Sequence, residues 1–213
     1  MKKRESEYRE PTRIIAWLPS FRNGLILSTL LCFQASLTCL AQVRDSVYHP
    51  DKMIIYKNNK FKVYNNWISA GAGEGYNFTH YGPQFTLGAD FNFHIKMEYF
   101  QFGLFFLGDR FGSYNDFNYH LGYGKRMERN KFNMAGFLGL AYSTGYRKVN
   151  EVFSPDNVYN QLGLYACFQF IKKITYDTGI GPGLYFNINP YQSVGGIRLD
   201  IYFSGAYKGK AKT

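Results

Sequence analysis

One stretch constrains the fold of this chain more than any other: Gln84–Ile95. Phe85, Leu87, Ala89, Phe91, Phe93 and Ile95 share one parity, and Gln84, Thr86, Gly88, Asp90, Asn92 and His94 share the other. Successive side chains of a strand point to opposite faces, so the segment reads as a strand with one greasy and one polar face. It is long enough for the roughly 9–11 residues a tilted membrane-spanning strand needs. A strand of this kind requires an apolar medium on one side only, and a closed barrel crossing a bilayer supplies that.

The alternation recurs along the rest of the chain. It predicts eight strands, at about 61–73, 84–95, 97–108, 115–125, 132–145, 158–171, 174–187 and 194–207. Leu162, Leu164, Ala166, Phe168 and Phe170 oppose Gln161, Gly163, Tyr165, Cys167 and Gln169. Ile174, Tyr176, Thr178, Ile180, Pro182, Leu184 and Phe186 oppose a face that holds Asp177. Ile197, Leu199, Ile201 and Phe203 oppose Arg198, Asp200, Tyr202 and Ser204. Pro182 lacks the N–H of a ladder donor, so a bulge or a missing bond is expected there.

The connections sort into two classes. Ile95-Lys96, 126–131 and Lys172-Lys173 are short or fairly short, whereas 74–83, 109–114, 146–157 and 188–193 are longer on average and carry Gly, Pro, Asn and Ser. Outer-membrane barrels have short periplasmic turns and longer outer loops. Both termini fall on the tight-turn side, as that topology requires.

Alternation alone also fits an inverted barrel with the apolar face inside, a soluble lipocalin-like carrier of an apolar ligand. A water-facing exterior is usually rich in Lys and Glu. Here the polar face holds Gly, Gln, Asn, Tyr and Thr, while Lys96, Lys125, Arg126, Arg129, Lys131, Lys172 and Lys173 collect at turns. Such a face suits a narrow lumen filled by side chains. The expected fold is therefore all-β: an eight-stranded antiparallel up-and-down transmembrane barrel, apolar face outward.

The N-terminus reads as an export signal over residues 1–41. Lys2, Lys3, Arg4, Arg9, Arg13 and Arg22 precede the apolar run GLILSTLLCFQASLTCLA (24–41), with Cys39 and Ala41 at the small-residue positions before a cut. The alternative, a transmembrane anchor, is disfavoured by Ser28, Thr29, Gln34 and Ser36 inside the run. The whole chain carries a formal charge of +10, and removing 1–41 takes six basic and three acidic residues and leaves +7. That charge points to anionic lipid headgroups; export argues against nucleic acid. Cys167 would remain as a lone thiol, so no disulfide framework exists, and a small filler role is expected. Residues 42–60 read as a periplasmic lead or a small hairpin with Asn58-Asn59 at its turn. The tail 208–213 reads as a loose basic end.

The signal ending Leu40-Ala41 before Gln42, the eight alternating strands, the uneven loops and the last strand GGIRLDIYFSGAY (195–207) resemble the small outer-membrane barrels of Gram-negative bacteria, of the OmpA/OmpX/OmpW-like group. The Tyr/Phe/Asn-rich style is similar to those of Bacteroidota. The resemblance covers 61–207 and is one of architecture. It implies a place in the outer membrane, contact with lipids and lipopolysaccharide, and insertion by the outer-membrane assembly machinery. That machinery usually reads a terminal aromatic residue, whereas this chain runs on through KGKAKT.

Candidate chemistry is sparse. Ala70–Gly75 (AGAGEG) lacks the strand-to-helix junction of a phosphate loop. His49, His80, His94 and His120 have no metal-ligand spacing, so neither metal nor cofactor is expected. His80, Asp109, Ser113 and Asp116 sit in or beside outer loops, but the His-x-Ser-Asn motif of lipid A deacylases is absent, so an enzyme is not expected. The lumen face carries Asp90, Glu98, His120, Asp177, Arg198 and Asp200, with Arg126 near one end, and buried charges demand partners. Arg198 is expected to pair with Asp177 or Asp200, in a structural network that plugs the barrel. Tyr76, Tyr81, Tyr114, Tyr146 and Tyr159 are expected at the outer interface. What the outer loops bind is not encoded in any recognisable motif.

Overall fold

The computed structural model describes residues 52–79, 82–108, 114–147 and 158–211. The segment expected to be an export signal, His49, His80, Tyr81, Asp109, Ser113 and the connections 109–113 and 148–157 lie outside them. A short hairpin comes first, β1 (Met53–Tyr56) and β2 (Asn59–Lys62). The barrel strands follow: β3 (Trp67–Asn77), β4 (Gly82–Ile95), β5 (Glu98–Gly108), β6 (Tyr114–Glu128), β7 (Phe132–Arg147), β8 (Val158–Lys173), β9 (Thr178–Ile188) and β10 (Ser193–Ser204). A last short strand is β11 (Tyr207–Lys210). β3 to β10 close into an antiparallel barrel in which each strand pairs with its neighbour in sequence and β10 returns to β3. No helix occurs among the described residues.

Side-chain burial fixes which face is which. In β10, Leu199 is 56% exposed and Asp200 beside it is fully buried. In β4, Phe85, Leu87, Phe91 and Ile95 are exposed, while Thr86, Asp90 and Asn92 are buried. Phe102, Leu104, Leu121, Leu140 and Leu164 continue the exposed apolar belt around the wall. An exterior this apolar belongs in hydrocarbon, where the closed barrel pairs backbone groups between neighbouring strands. The interior is a packed core. Besides polar groups it holds the aromatic bodies of Trp67, Phe105, Phe137, Tyr165, Tyr185 and Tyr202, with Cys167 as a small buried filler.

The ladder between β8 and β9 runs in constant register but skips Phe170 and Ile171 opposite Pro182 and Gly181. The other side of Pro182 pairs regularly with Leu199. The missing donor thus interrupts one ladder without shifting it.

Several local features differ from the sequence reading. The first barrel strand is Trp67–Asn77 and not 61–73, because residues 59–62 belong to the small sheet, and most of the expected connection 74–83 is strand. The turn between β8 and β9 is Ile174–Asp177, two residues later than Lys172-Lys173. Thr175 closes it: Thr178 N–H donates to Thr175 Oγ1 at 3.0 Å, and Ile174 N–H donates to the Thr178 carbonyl at 2.9 Å. The apolar parity of Ile174 and Tyr176 had mimicked a longer strand. Tyr176 instead packs in a small cluster with Phe61 and Ala206, its ring stacked on Phe61 at 4.4 Å. Burial there holds the Tyr176 phenol well above its ordinary pKa, so the side chain stays neutral.

Residues 53–62 form the hairpin, with Lys57-Asn58 at its turn, one position before Asn58-Asn59. Both have positive φ, 49° and 60°, as a two-residue type I′ turn requires. The tail is not loose: β11 pairs with β2, making a three-stranded sheet. A register shift between Tyr207 and Gly209 breaks that pairing. Gly209 there has a φ of 117°, a conformation that only glycine adopts readily.

Candidate functional site: the lumen network

The inward parity of the strands stacks polar side chains in three layers. The middle layer centres on Arg198 of β10. Its guanidinium donates to Asp90 Oδ2 of β4 at 2.5 Å, and to Asp200 Oδ1 and Oδ2 at 3.0 and 3.3 Å. His120 of β6 places Nε2 at 2.8 Å from Asp90 Oδ1 and stacks on Tyr165 at 4.0 Å. Gln169 of β8 donates to Asp90 Oδ2 and to Ser69 Oγ. The wall gives way to make room. A Cβ on Gly88 would stand 2.0 Å from an Arg198 nitrogen, and one on Gly103 would stand 2.4 Å from Asp90 Oδ1. Glycine at these positions is thus the sequence counterpart of a large buried cation.

The lower layer closes the tight-turn end. Arg126 donates from Nε to Asn133 Oδ1 at 2.6 Å and from the guanidinium to the Tyr202 hydroxyl at 2.7 Å and the Asn65 carbonyl at 3.1 Å. It lies 4.3 Å over the Trp67 ring and 3.1 Å from Glu128 Oε1. Lys173 shares Glu128 with it. The outer layer is built of amides and hydroxyls. Asp116 accepts from Asn118 Nδ2 at 2.9 Å and from Gln192 Nε2. Asn118 Oδ1 accepts from Ser143 and Asn187, and Asn77 donates to Gln192 Oε1 at 2.9 Å.

Of the six charged or titratable residues placed on the lumen face by sequence, the middle layer brings Asp90, His120, Arg198 and Asp200 together. The other two lie elsewhere. Glu98 shares the parity of Phe100, Phe102 and Leu104 and faces outward at the tight-turn rim, bonded to Lys125 at 2.5 Å and to Tyr123. Both faces of β5 are apolar, so its parity was ambiguous. Asp177 sits in the β8–β9 turn and accepts from Ser204 Oγ at 2.8 Å and Ala206 N–H at 3.1 Å. It anchors the turn to the end of β10, so Arg198 pairs with Asp200 and Asp90 instead. Tyr159 is also displaced from expectation: it is 7% exposed, turned into the outer mouth and stacked on Tyr191 at 4.1 Å. Tyr76 is exposed on the outer wall. Sequence spacing places Asp116 beside an outer loop and Lys173 at a turn and leaves Glu128 out, whereas all three face the lumen. Inward parity of Asp116, Asn118 and His120 was the available signal.

A closed eight-stranded antiparallel barrel, apolar outside and filled with side chains, is the architecture of small transmembrane barrels. Among solved structures the chain is similar to Neisserial surface protein A (TM-score 0.51, 9% identity, covering 66% of this chain and 95% of that one). It is also similar to the N-terminal β-barrel domain of Pseudomonas aeruginosa OprF (TM-score 0.52, 9% identity, 66% of this chain and 98% of that one). At such identity the likeness shows a shared fold, that of the small outer-membrane barrels. No protein-family model and no curated protein sequence matches the chain.

Proposed function

We propose that the chain is an integral outer-membrane protein, exported by a signal cut near Ala41, with a surface-binding, adhesion-type role and no catalytic activity. The apolar belt would contact membrane lipids and lipopolysaccharide, and β10 would carry the signal read by the assembly machinery. The observation that carries the binding role is the unequal height of the wall. β7 and β8 have 16 residues each, against 11 in β3, β5 and β9. The β7–β8 ladder begins at Tyr146 and Val158, whereas β8 meets β9 only from Leu164. Residues 158–163 therefore continue beyond the last β8–β9 pair, alongside the 189–192 connection, where Tyr159 stacks on Tyr191. This taller side of the wall at the long-loop end positions loops for contact with large partners.

The test uses intact cells that produce the full chain. An epitope inserted within 148–157 is expected to bind antibody without permeabilisation, and one at the Arg129–Lys131 turn only after it. Shortening 148–157 to a two-residue turn is expected to abolish adherence to mucin-coated surfaces while heat-modifiable gel migration persists. Labelling at Arg129–Lys131 on intact cells would reverse the orientation, and unchanged adherence would remove the binding role.

A further inference from the structure

We propose that the tight-turn rim of the barrel carries a docking surface for anionic phospholipids, made of Lys96, Arg129, Lys131 and Lys172 beside an aromatic band. The inference rests on the outer-membrane reading above and adds which lipid the wall selects. All four cations are exposed. Among the described residues none of them forms an ion pair, and the carboxylates at this end are engaged elsewhere. Glu98 is bonded to Lys125, Glu128 to Arg126 and Lys173, and Asp177 to Ser204 and Ala206. The four also occupy one side of the rim. Lys96 lies in the β4–β5 turn, Arg129 and Lys131 in the β6–β7 turn, and Lys172 near the end of β8. On the opposite side the row Ile68, Phe203 and Thr178 runs across β3, β10 and β9 without a charge. An arc of cations with no counter-charge of its own fits an anionic partner.

The neighbouring side chains set the depth of the arc. Lys172 shares the outward parity of Phe170 and is paired with Phe132 across the β7–β8 ladder. The rings of Phe132 and Phe170 stack at 6.1 Å. Phe93 stacks on Phe100 at 5.5 Å near the β4–β5 turn, where Lys96 follows the exposed Ile95. Aromatic girdles mark the level of a barrel's membrane interfaces. Lysine heads just beyond such a band reach the headgroups while their stems stay on apolar surface. That depth favours a lipid phosphate over a polyanion free in the aqueous compartment. The centre of the surface is the β7–β8 corner. Lys173 N–H donates to the Lys131 carbonyl at 2.8 Å, which holds the turn carrying Lys131 against the end of β8. Lys131 and Lys172 would share one phosphate, with the acyl chain lying along Phe132 and Phe170.

The experiment reconstitutes the full chain in phosphatidylcholine vesicles that contain a trace of spin-labelled phosphatidylglycerol or spin-labelled phosphatidylcholine. Electron spin resonance reads the motionally restricted fraction of each label at the protein wall. The wild type is expected to favour phosphatidylglycerol by about two-fold or more averaged over the wall, since one cation near an anionic headgroup biases a single site roughly five-fold. The double variant Lys131→Gln, Lys172→Gln is expected to lose at least half of that preference. Lys208→Gln, Lys210→Gln lowers the net charge equally on the small sheet and is expected to keep it. Heat-modifiable migration checks that each variant folds. No preference in the wild type, or a full preference in folded Lys131→Gln, Lys172→Gln, would overturn the surface. Equal losses in the two double variants would trace the preference to net charge and overturn it as well. A wild type that restricts neither labelled lipid would contradict the membrane barrel itself.

Discussion

Replacing Leu199 with arginine should destabilise the folded barrel in lipid vesicles by about 2–4 kcal/mol, the cost of a guanidinium near the bilayer midplane on a barrel's lipid face. Leu199 lies in the middle of β10, paired with Ala72 on one side and Pro182 on the other. Ile197 and Ile201 beside it on the same face are also exposed. On a water-facing exterior the same change would fall within about 0.5 kcal/mol of neutral. The size of the effect therefore separates the two environments. Ile95, at the tight-turn rim and 58% exposed, is the internal control. There arginine should cost only about 0–1 kcal/mol, because the interface hydrates it. Reversible urea unfolding of both variants in vesicles, followed by the fluorescence of buried Trp67, measures the difference.

A second large effect is expected inside. Arg198→Met should cost about 3–5 kcal/mol, because it leaves Asp90 and Asp200 buried with their shared cation gone. The loss should exceed the hydrogen bonds themselves, since each carboxylate loses its ion pair while remaining out of water. The triple variant Arg198→Met, Asp90→Asn, Asp200→Asn removes the stranded charges along with the cation, and is expected to recover most of that loss. Recovery identifies uncompensated burial as the source of the cost. Equal instability of the single and triple variants would point instead to lost packing of the guanidinium against the wall at Gly88.

These two experiments probe what alternation made legible. In β4 and in Ile197–Phe203 of β10 one parity is apolar and the other mostly polar, so inside and outside follow from sequence spacing alone. In β5 the run Tyr99–Leu107 puts Phe or Leu on both faces, because Phe105 and Leu107 fill the core while Phe102 and Leu104 face outward. Parity then carries no sign, and Glu98 fell on the wrong face. The partner of Arg198 was only half legible. Asp200 is two residues away and shares its face, but Asp90 is 108 residues away. Their meeting depends on relative strand heights, which the barrel's stagger sets and local pattern does not reveal. Tyr176 failed for a different reason. Its apolar character answers to the hairpin residue Phe61, a long-range contact that looked like continued strand periodicity. Asp116 reads from sequence as a residue beside an outer loop, and the Asn and Gln that meet it in the lumen read as ordinary loop chemistry.

The most direct test of the whole account is a spin-label scan along residues 84–95, one cysteine at a time in a Cys167→Ser background, with the chain reconstituted in bilayers. Collision with dissolved oxygen, which concentrates in lipid, and with a water-soluble nickel chelate reports the environment of each label. A two-residue period is expected. Leu87, Ala89 and Phe91 should be open to oxygen and closed to nickel, and Thr86, Asp90 and Asn92 closed to both. Nickel access at Leu87, Ala89 and Phe91 together with shielding from oxygen, or no alternation at all, would contradict a barrel that turns its apolar face to lipid.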